Sequence, residues 1–211
     1  MTRRVQEPPR SRDVELGLPD RESAYADWLD SGVAQVSAVL RATDPHARMW
    51  AWGPDQHARF WARRMLFETL LHRTDAERAL GLPSGIDTAL AADGVDEFLV
   101  NLPSAGFFAP GVAKLRGNGE VIAFRCADEA GHAGEQWNVR LNRDGFGLEP
   151  RTNTGADSGT RQGHARDQVT VQGGAADLLL LLYGRLSRDD ASLDVSGDRK
   201  LLDHWLAYSA F

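Results

Sequence analysis

The strongest pattern in this 211-residue chain is the segment RRMLFETLLHRTDAE at positions 63–77. At 3.6 residues per turn, a helix through this segment carries polar and apolar side chains along a single face. The residues on that face are Trp61, Met65, Glu68, His72, Asp75 and Ala79. The other faces are apolar as well, through Leu66, Phe67, Leu70 and Leu71. The pattern therefore predicts a central, largely buried helix that carries three ionisable groups.

Glu68 and His72 are four residues apart, so their side chains point to the same side of the predicted helix. A carboxylate and an imidazole in this arrangement can bind one divalent metal ion, which offsets the cost of burying them. The same spacing also fits a hydrogen bond between the two groups, or two groups that face water in a cleft. It is not the metalloprotease pattern, because Phe67 precedes the glutamate where that pattern has a histidine.

The flanking sequence predicts a helical half. Residues 1–19 are rich in proline and charge and predict an extended arm. An amphipathic helix follows, with Asp20 as its N-cap and its end before Pro45. Two more helical stretches are predicted at 56–80 and 87–102.

From residue 110 onward the pattern changes to a mixture of strands and helices. Alternating polarity predicts strands at 121–126, 137–141 and 168–171, with a polar loop at 152–166. A helix at 175–186, a strand at 192–195 and a last helix capped by Asp198 follow. We therefore predict an α+β protein with an incomplete helical bundle at 20–105 and a small α+β domain at 110–211.

Composition excludes several classes of protein. The formal net charge is −6, which disfavours a nucleic-acid-binding surface. The only cysteine, Cys126, lies in an alternating segment and is predicted to be a buried structural residue. No apolar run is long enough for a transmembrane helix, and we expect a cytoplasmic protein without a membrane partner.

The chain resembles the mycothiol-dependent maleylpyruvate isomerase-like family, within the wider group of DinB-like helical proteins. The resemblance rests on WAWG at 50–53, FWARRM at 60–65, ET at 68–69, HRTDAE at 72–77 and AADGVDEFL at 91–99. Weaker similarity continues through LLLLLYGR at 178–185 and VSGD at 195–198. The resemblance implies a DinB-like bundle that lacks its N-terminal helices, followed by a sterol-carrier-like domain.

The resemblance also implies a divalent metal, usually zinc, and a low-molecular-weight thiol, mycothiol, as cofactors. Glu68 and His72 match two of the family's metal ligands. The third is a histidine on an earlier helix, and this chain has no histidine before His46. Phe67 replaces a histidine that many relatives carry.

The implied function is a mycothiol-dependent isomerase or transferase that acts on a small electrophilic substrate. Arg185 resembles a basic family position and is a candidate catalytic clamp for a substrate carboxylate, or else an exposed residue favoured by a helix dipole. Asp75 either orients His72 or pairs with Arg73 or Arg64.

Other residues have simpler interpretations. His46 and His57 are possible substitutes for the missing ligand, but we expect both to be exposed. Trp50, Trp52, Trp61 and Trp137 are predicted to pack in the core.

The competing hypothesis is a non-catalytic, metal-free relative that binds a small ligand or self-associates. A homo-oligomer is possible under either hypothesis.

Overall fold

The computed structural model describes residues 17–127, 135–150 and 168–210. In this part of the chain the helices are α1 (Tyr25–Ala42), α2 (Ala58–Ala79), α3 (Thr88–Asn101), α4 (Ala175–Leu182) and α5 (Arg199–Ser209). The strands are β1 (Val121–Cys126), β2 (Gln136–Asn142), β3 (Gly145–Leu148), β4 (Val169–Gly173) and β5 (Asp194–Gly197). Short 3-10 turns occupy Glu22–Ala24, Leu102–Phe107 and Pro110–Lys114. The α+β class is confirmed.

The strands form one mixed sheet in the order β3-β2-β1-β4-β5. β1 lies in the middle, antiparallel to β2 and parallel to β4, with Phe124 opposite both Trp137 and Val171. Cys126 at the end of β1 is buried, as predicted. Because β1 is covered on both faces, its sequence is almost continuously apolar.

The helices α2, α3 and α4 share the same core. Phe67 of α2 is fully buried, and it lies against Gly94 of α3. A Cβ atom at Gly94 would be 2.9 Å from Cε1 of Phe67 and 3.0 Å from Cδ1 of Leu179. The absence of a side chain at Gly94 therefore allows the three helices to approach closely.

Helix α1 is different, because none of its residues is buried. Its N-terminus also differs from the prediction. No side chain caps α1, and the 3-10 turn Glu22–Ala24 leads into it, so the predicted capping role of Asp20 is wrong.

The remaining predictions vary in accuracy. Asp87 caps α3 by accepting a hydrogen bond from the amide of Leu90, and Asp198 caps α5 as predicted. Strand β3 was not predicted, and α4 ends four residues earlier than expected, at Leu182. Residues 1–16 of the predicted arm at 1–19, and the whole predicted loop at 152–166, lie outside the described residues.

A single core cluster contains residues from α2, α3, α4 and the sheet. It therefore crosses the expected boundary near residue 110, and the division into domains stays a prediction. Within the described ranges, every helix is too short or too polar to cross a membrane.

Candidate functional site

A cleft of about 590 Å³ lies along the predicted polar face of α2. Its walls come from α2, from the segment before it, from the chain after α3 and from the end of α4. The lining residues are Trp52, Trp61, Arg64, Met65, Glu68, Leu71, His72, Phe108, Tyr183 and Arg185. The cleft thus brings together Glu68, His72 and Arg185, the three residues that the sequence predicted for the site.

Glu68 and His72 face each other on the cleft wall. Oε2 of Glu68 lies 3.5 Å from Nε2 of His72, and Oδ2 of Asp75 lies 3.5 Å from Nδ1 on the other side of the imidazole ring. The His72 side chain is 70% exposed, so the prediction that this face is buried is wrong. Helix α2 instead buries the opposite face and presents its ionisable groups to open solvent in the cleft.

The geometry of this pair fits two positions of a metal site. Metal–ligand bonds of about 2.1 Å in a tetrahedron place neighbouring donor atoms roughly 3.4 Å apart, close to the observed separation. Each of the two side chains also contacts a second charged residue: Glu68 accepts a hydrogen bond from Arg64, and Nδ1 of His72 lies 3.5 Å from Oδ2 of Asp75. Among the described residues, however, no group of three or more His, Cys, Asp or Glu side chains is close enough to hold an ion. The described residues therefore offer two candidate ligands, whereas a catalytic zinc site normally has three.

A buried network of charged and polar side chains contacts Glu68 from the interior of the protein. Arg64 is almost completely buried, and its guanidinium group donates hydrogen bonds to Oε1 of Glu68 from Nε (3.1 Å) and from Nη2. Its Nη1 donates to Oε2 of Glu97 at 2.7 Å and to the hydroxyl of Tyr183 at 2.8 Å. Oε1 of Glu97 accepts a further hydrogen bond from Asn101 at 2.9 Å. A continuous polar chain thus runs from the interior to the cleft.

The electrostatics of this network follow from its burial. Burial alone would lower the pKa of Arg64, but its interactions with Tyr183 and Glu97 outweigh this effect and raise the pKa above its ordinary value. Burial also raises the pKa of the Tyr183 hydroxyl, with a contribution from the charge of Glu97. Arg64 is therefore a permanent cation and Tyr183 a neutral donor at physiological pH.

Arg185 lies at the rim of the cleft and is bound to Asp75. Its Nε and Nη2 donate to the two carboxylate oxygens at 3.1 and 2.8 Å, a bidentate pair. This hydrogen bonding lowers the pKa of Asp75. Asp75 contacts His72 as expected, but its arginine partner is Arg185 rather than Arg73 or Arg64.

Aromatic residues form the apolar walls of the cleft. Trp52 packs edge-on against Phe108, with ring centroids 4.9 Å apart. Trp61 donates a hydrogen bond from Nε1 to the carbonyl of Trp50 at 2.8 Å. The core prediction holds for Trp137 but is wrong for Trp50, which is 73% exposed.

The other described histidines lie away from the cleft. His46 contacts Arg59, and His57 contacts Asp55 at 2.6 Å, both in the segment before α2. His204 contacts the carbonyl of Lys114 in the other half of the chain. None of the three lines the cleft.

Four residues of the polar network were not predicted as a group: Arg64, Glu97, Asn101 and Tyr183. Arg64 and Glu97 each carry a charge on an otherwise apolar helix face. That signal was visible in the sequence, because a buried charge requires a partner. The identity of the partner was not visible, since Tyr183 is 119 residues away from Arg64.

The fold and the cleft together define a class, an α+β protein whose helical half presents a carboxylate–imidazole pair to an open cleft. The chain belongs to the mycothiol maleylpyruvate isomerase family. The model of the family's N-terminal domain matches residues 1–77, and that of its C-terminal domain matches residues 89–204.

The other comparisons add little. No curated protein matches the chain. One solved structure with detectable similarity is described as "UbiJ-SCP2 Ubiquinone synthesis protein". It is 15% identical, with a TM-score of 0.33, and the match covers 58% of this chain and 87% of that one. A similarity at this level carries no argument about function.

Proposed function

We propose that the protein is a mycothiol-dependent isomerase or transferase that acts on a small electrophilic substrate in the α2 cleft. The observation that carries this proposal is the pair of donor atoms on Glu68 and His72, 3.5 Å apart and both open to the cleft. Membership of the mycothiol maleylpyruvate isomerase family supports the thiol as co-reactant.

Glu68 and His72 would hold a divalent metal ion, and zinc is the ion with which to test this. A bound zinc ion supplies one chemical property here, a lower thiol pKa that gives thiolate at neutral pH. Such a thiol would supply reversible addition to an electrophilic double bond for isomerisation, with the same thiolate expelled after bond rotation, or displacement of a leaving group for transfer.

The chain's own residues orient the reactants and shape the cleft. The carboxylate of Asp75 lies 3.5 Å from Nδ1 of His72 and would favour a proton on that nitrogen, which leaves the lone pair of Nε2 on the side that faces Glu68. Arg64 holds one oxygen of Glu68, so that the other oxygen faces His72. Trp52 and Phe108 offer an apolar surface to the carbon skeleton of a substrate and reduce its contact with water.

Zinc binding to the full chain tests the proposal. Titration calorimetry with zinc should give about one site per chain, and His72→Ala and Glu68→Gln should each weaken it at least tenfold. His46→Ala is the matched control, because it removes an exposed histidine outside the cleft. Equal zinc affinity in wild type and His72→Ala would contradict the proposed ligands.

Thiol binding is measured separately, with mycothiol itself as the titrant. The proposal expects binding that depends on zinc and is lost in His72→Ala. Zinc binding without thiol binding would leave a metal site but contradict the proposed reaction class.

A further inference from the structure

Helix α1 carries an apolar stripe that is mostly exposed in the described structure. Leu29, Val33, Val36 and Leu40 are spaced by four, three and four residues, the spacing of contact positions in a coiled coil. Leu29, Val33 and Val36 are 51–62% exposed. An 18-residue helix is about 27 Å long, so these four side chains form a continuous contact surface.

The stripe continues into an apolar groove of about 580 Å³ between α1 and α2. On the α1 side the groove is lined by Gln35, Val36, Ala38, Val39 and Leu40. On the α2 side it is lined by Trp61 and Met65, which also line the functional cleft. Whatever fills the groove therefore lies beside the open side of the cleft.

We propose that a second copy of this chain covers this face. The α1 helices of the two copies pack antiparallel around a two-fold axis near residues 34 and 35, and the two α2 helices complete a four-helix arrangement. In this register Leu29 of one copy meets Leu40 of the other, and Val33 meets Val36. The partner's α1 forms an additional wall beside each cleft.

Charge complementarity favours a second copy in the antiparallel orientation. The N-terminal part of α1 carries Asp27 and Asp30, and its last turn carries Arg41. Antiparallel pairing brings Arg41 of each copy close to Asp30 of the other copy, because these two residues lie on the same flank of the stripe. Two such contacts form by symmetry, and the helix dipoles oppose each other favourably. Parallel pairing would instead leave Asp30 and Arg41 of the two copies at different levels along the helices, about 16 Å apart.

The oligomeric state of the full chain is the first test, measured by light scattering during size-exclusion chromatography over a range of protein concentrations. A chain of 23.1 kDa should give a species of about 46 kDa. Val33→Asp should give the single-chain mass with an unchanged circular dichroism spectrum, because Val33 makes no buried contact within its own chain. Ser31→Asp places the same charge on the opposite face of α1 and should leave the dimer intact.

A charge exchange tests the orientation. Arg41→Asp alone and Asp30→Arg alone should each weaken the dimer about threefold or more, and the double variant should recover most of the wild-type affinity. A wild-type mass of one chain at all concentrations, a larger assembly, or a dimer that survives Val33→Asp would overturn the proposal. No recovery in the double variant would overturn the antiparallel arrangement. The mass measurement does not depend on zinc or thiol, so a failure of the proposed chemistry is distinguishable from a failure of the dimer.

Discussion

Replacing Phe67 with histidine tests whether the residue before Glu68 belongs to the site. The family resemblance places a histidine at this position in many relatives, which invites the idea that Phe67→His would restore a metal ligand. The structure predicts otherwise. Phe67 is fully buried on the face of α2 opposite the cleft, against Gly94 and Leu179.

The expected cost is set by two effects. Removing most of a buried phenylalanine ring costs about 3–5 kcal/mol when alanine replaces it, and an imidazole fills part of that space. The imidazole adds a buried polar group without a partner, at about 1–3 kcal/mol. We expect Phe67→His to lower the free energy of unfolding by about 3 kcal/mol, whereas Phe67→Leu, an apolar control, should cost about 1 kcal/mol.

Urea unfolding followed by tryptophan fluorescence measures these differences, and zinc titration of the same variants measures the second expectation. Zinc affinity of Phe67→His should equal that of Phe67→Leu. A variant as stable as wild type, or one that binds zinc more tightly through His72, would refute the assignment of Phe67 to the core.

Three further predictions follow from close packing and charge. Gly94→Ala should lower the free energy of unfolding by about 1–3 kcal/mol, because the added methyl group enters space that Phe67 and Leu179 occupy. Gly32→Ala on α1 is the control: its methyl group enters open space, so the change should be neutral or stabilising by up to about 1 kcal/mol. Thermal and urea unfolding of the two variants measure the difference. Glu97→Leu should lower the free energy of unfolding by about 3–5 kcal/mol, because it leaves the Arg64 cation buried without its main counter-charge. The double variant Glu97→Leu, Arg64→Met should lose less stability than Glu97→Leu alone. Equal losses in the two variants would contradict a direct pairing. The pKa of Asp75 is lowered in the folded state, so its carboxylate stabilises the fold above the unfolded value of about 4, and this contribution is lost as the pH falls through the lower folded value. Unfolding free energies measured across that range should fall less steeply with acid in Asp75→Asn than in wild type, and parallel profiles would contradict the prediction.

The periodic parts of the fold could be predicted from the sequence. The α2 segment has breakers after it and a clear helical period, and its observed bounds differ from the predicted ones by only one or two residues. Strand β3 was missed because its four residues, Gly145–Leu148, include two glycines and show no clear alternation.

The burial of α2 was overestimated for a physical reason, since the helix was predicted to be largely buried on all sides whereas its polar face is open to the cleft. Helical periodicity assigns residues to faces, but it does not say which of two mixed faces meets the core. The decision depends on packing partners that are distant in sequence, here Gly94 of α3 and Leu179 of α4. The same distinction holds for the site. The pairing of Glu68 with His72 could be predicted because the two residues are close in sequence. The contact between Arg64 and Tyr183 could not, because it joins residues 119 positions apart.

The ionic contact between Arg64 and Glu97 also bears on how this protein can change during evolution. Arg64 lies in the segment matched by the family's N-terminal domain, and Glu97 in the segment matched by the C-terminal domain. Recombination between relatives at residues 78–88 would leave the buried charge of Arg64 unpaired unless the new C-terminal half carried a carboxylate at position 97. A substitution in one half therefore limits which residues the other half can carry, and we expect positions 64 and 97 to change together across lineages.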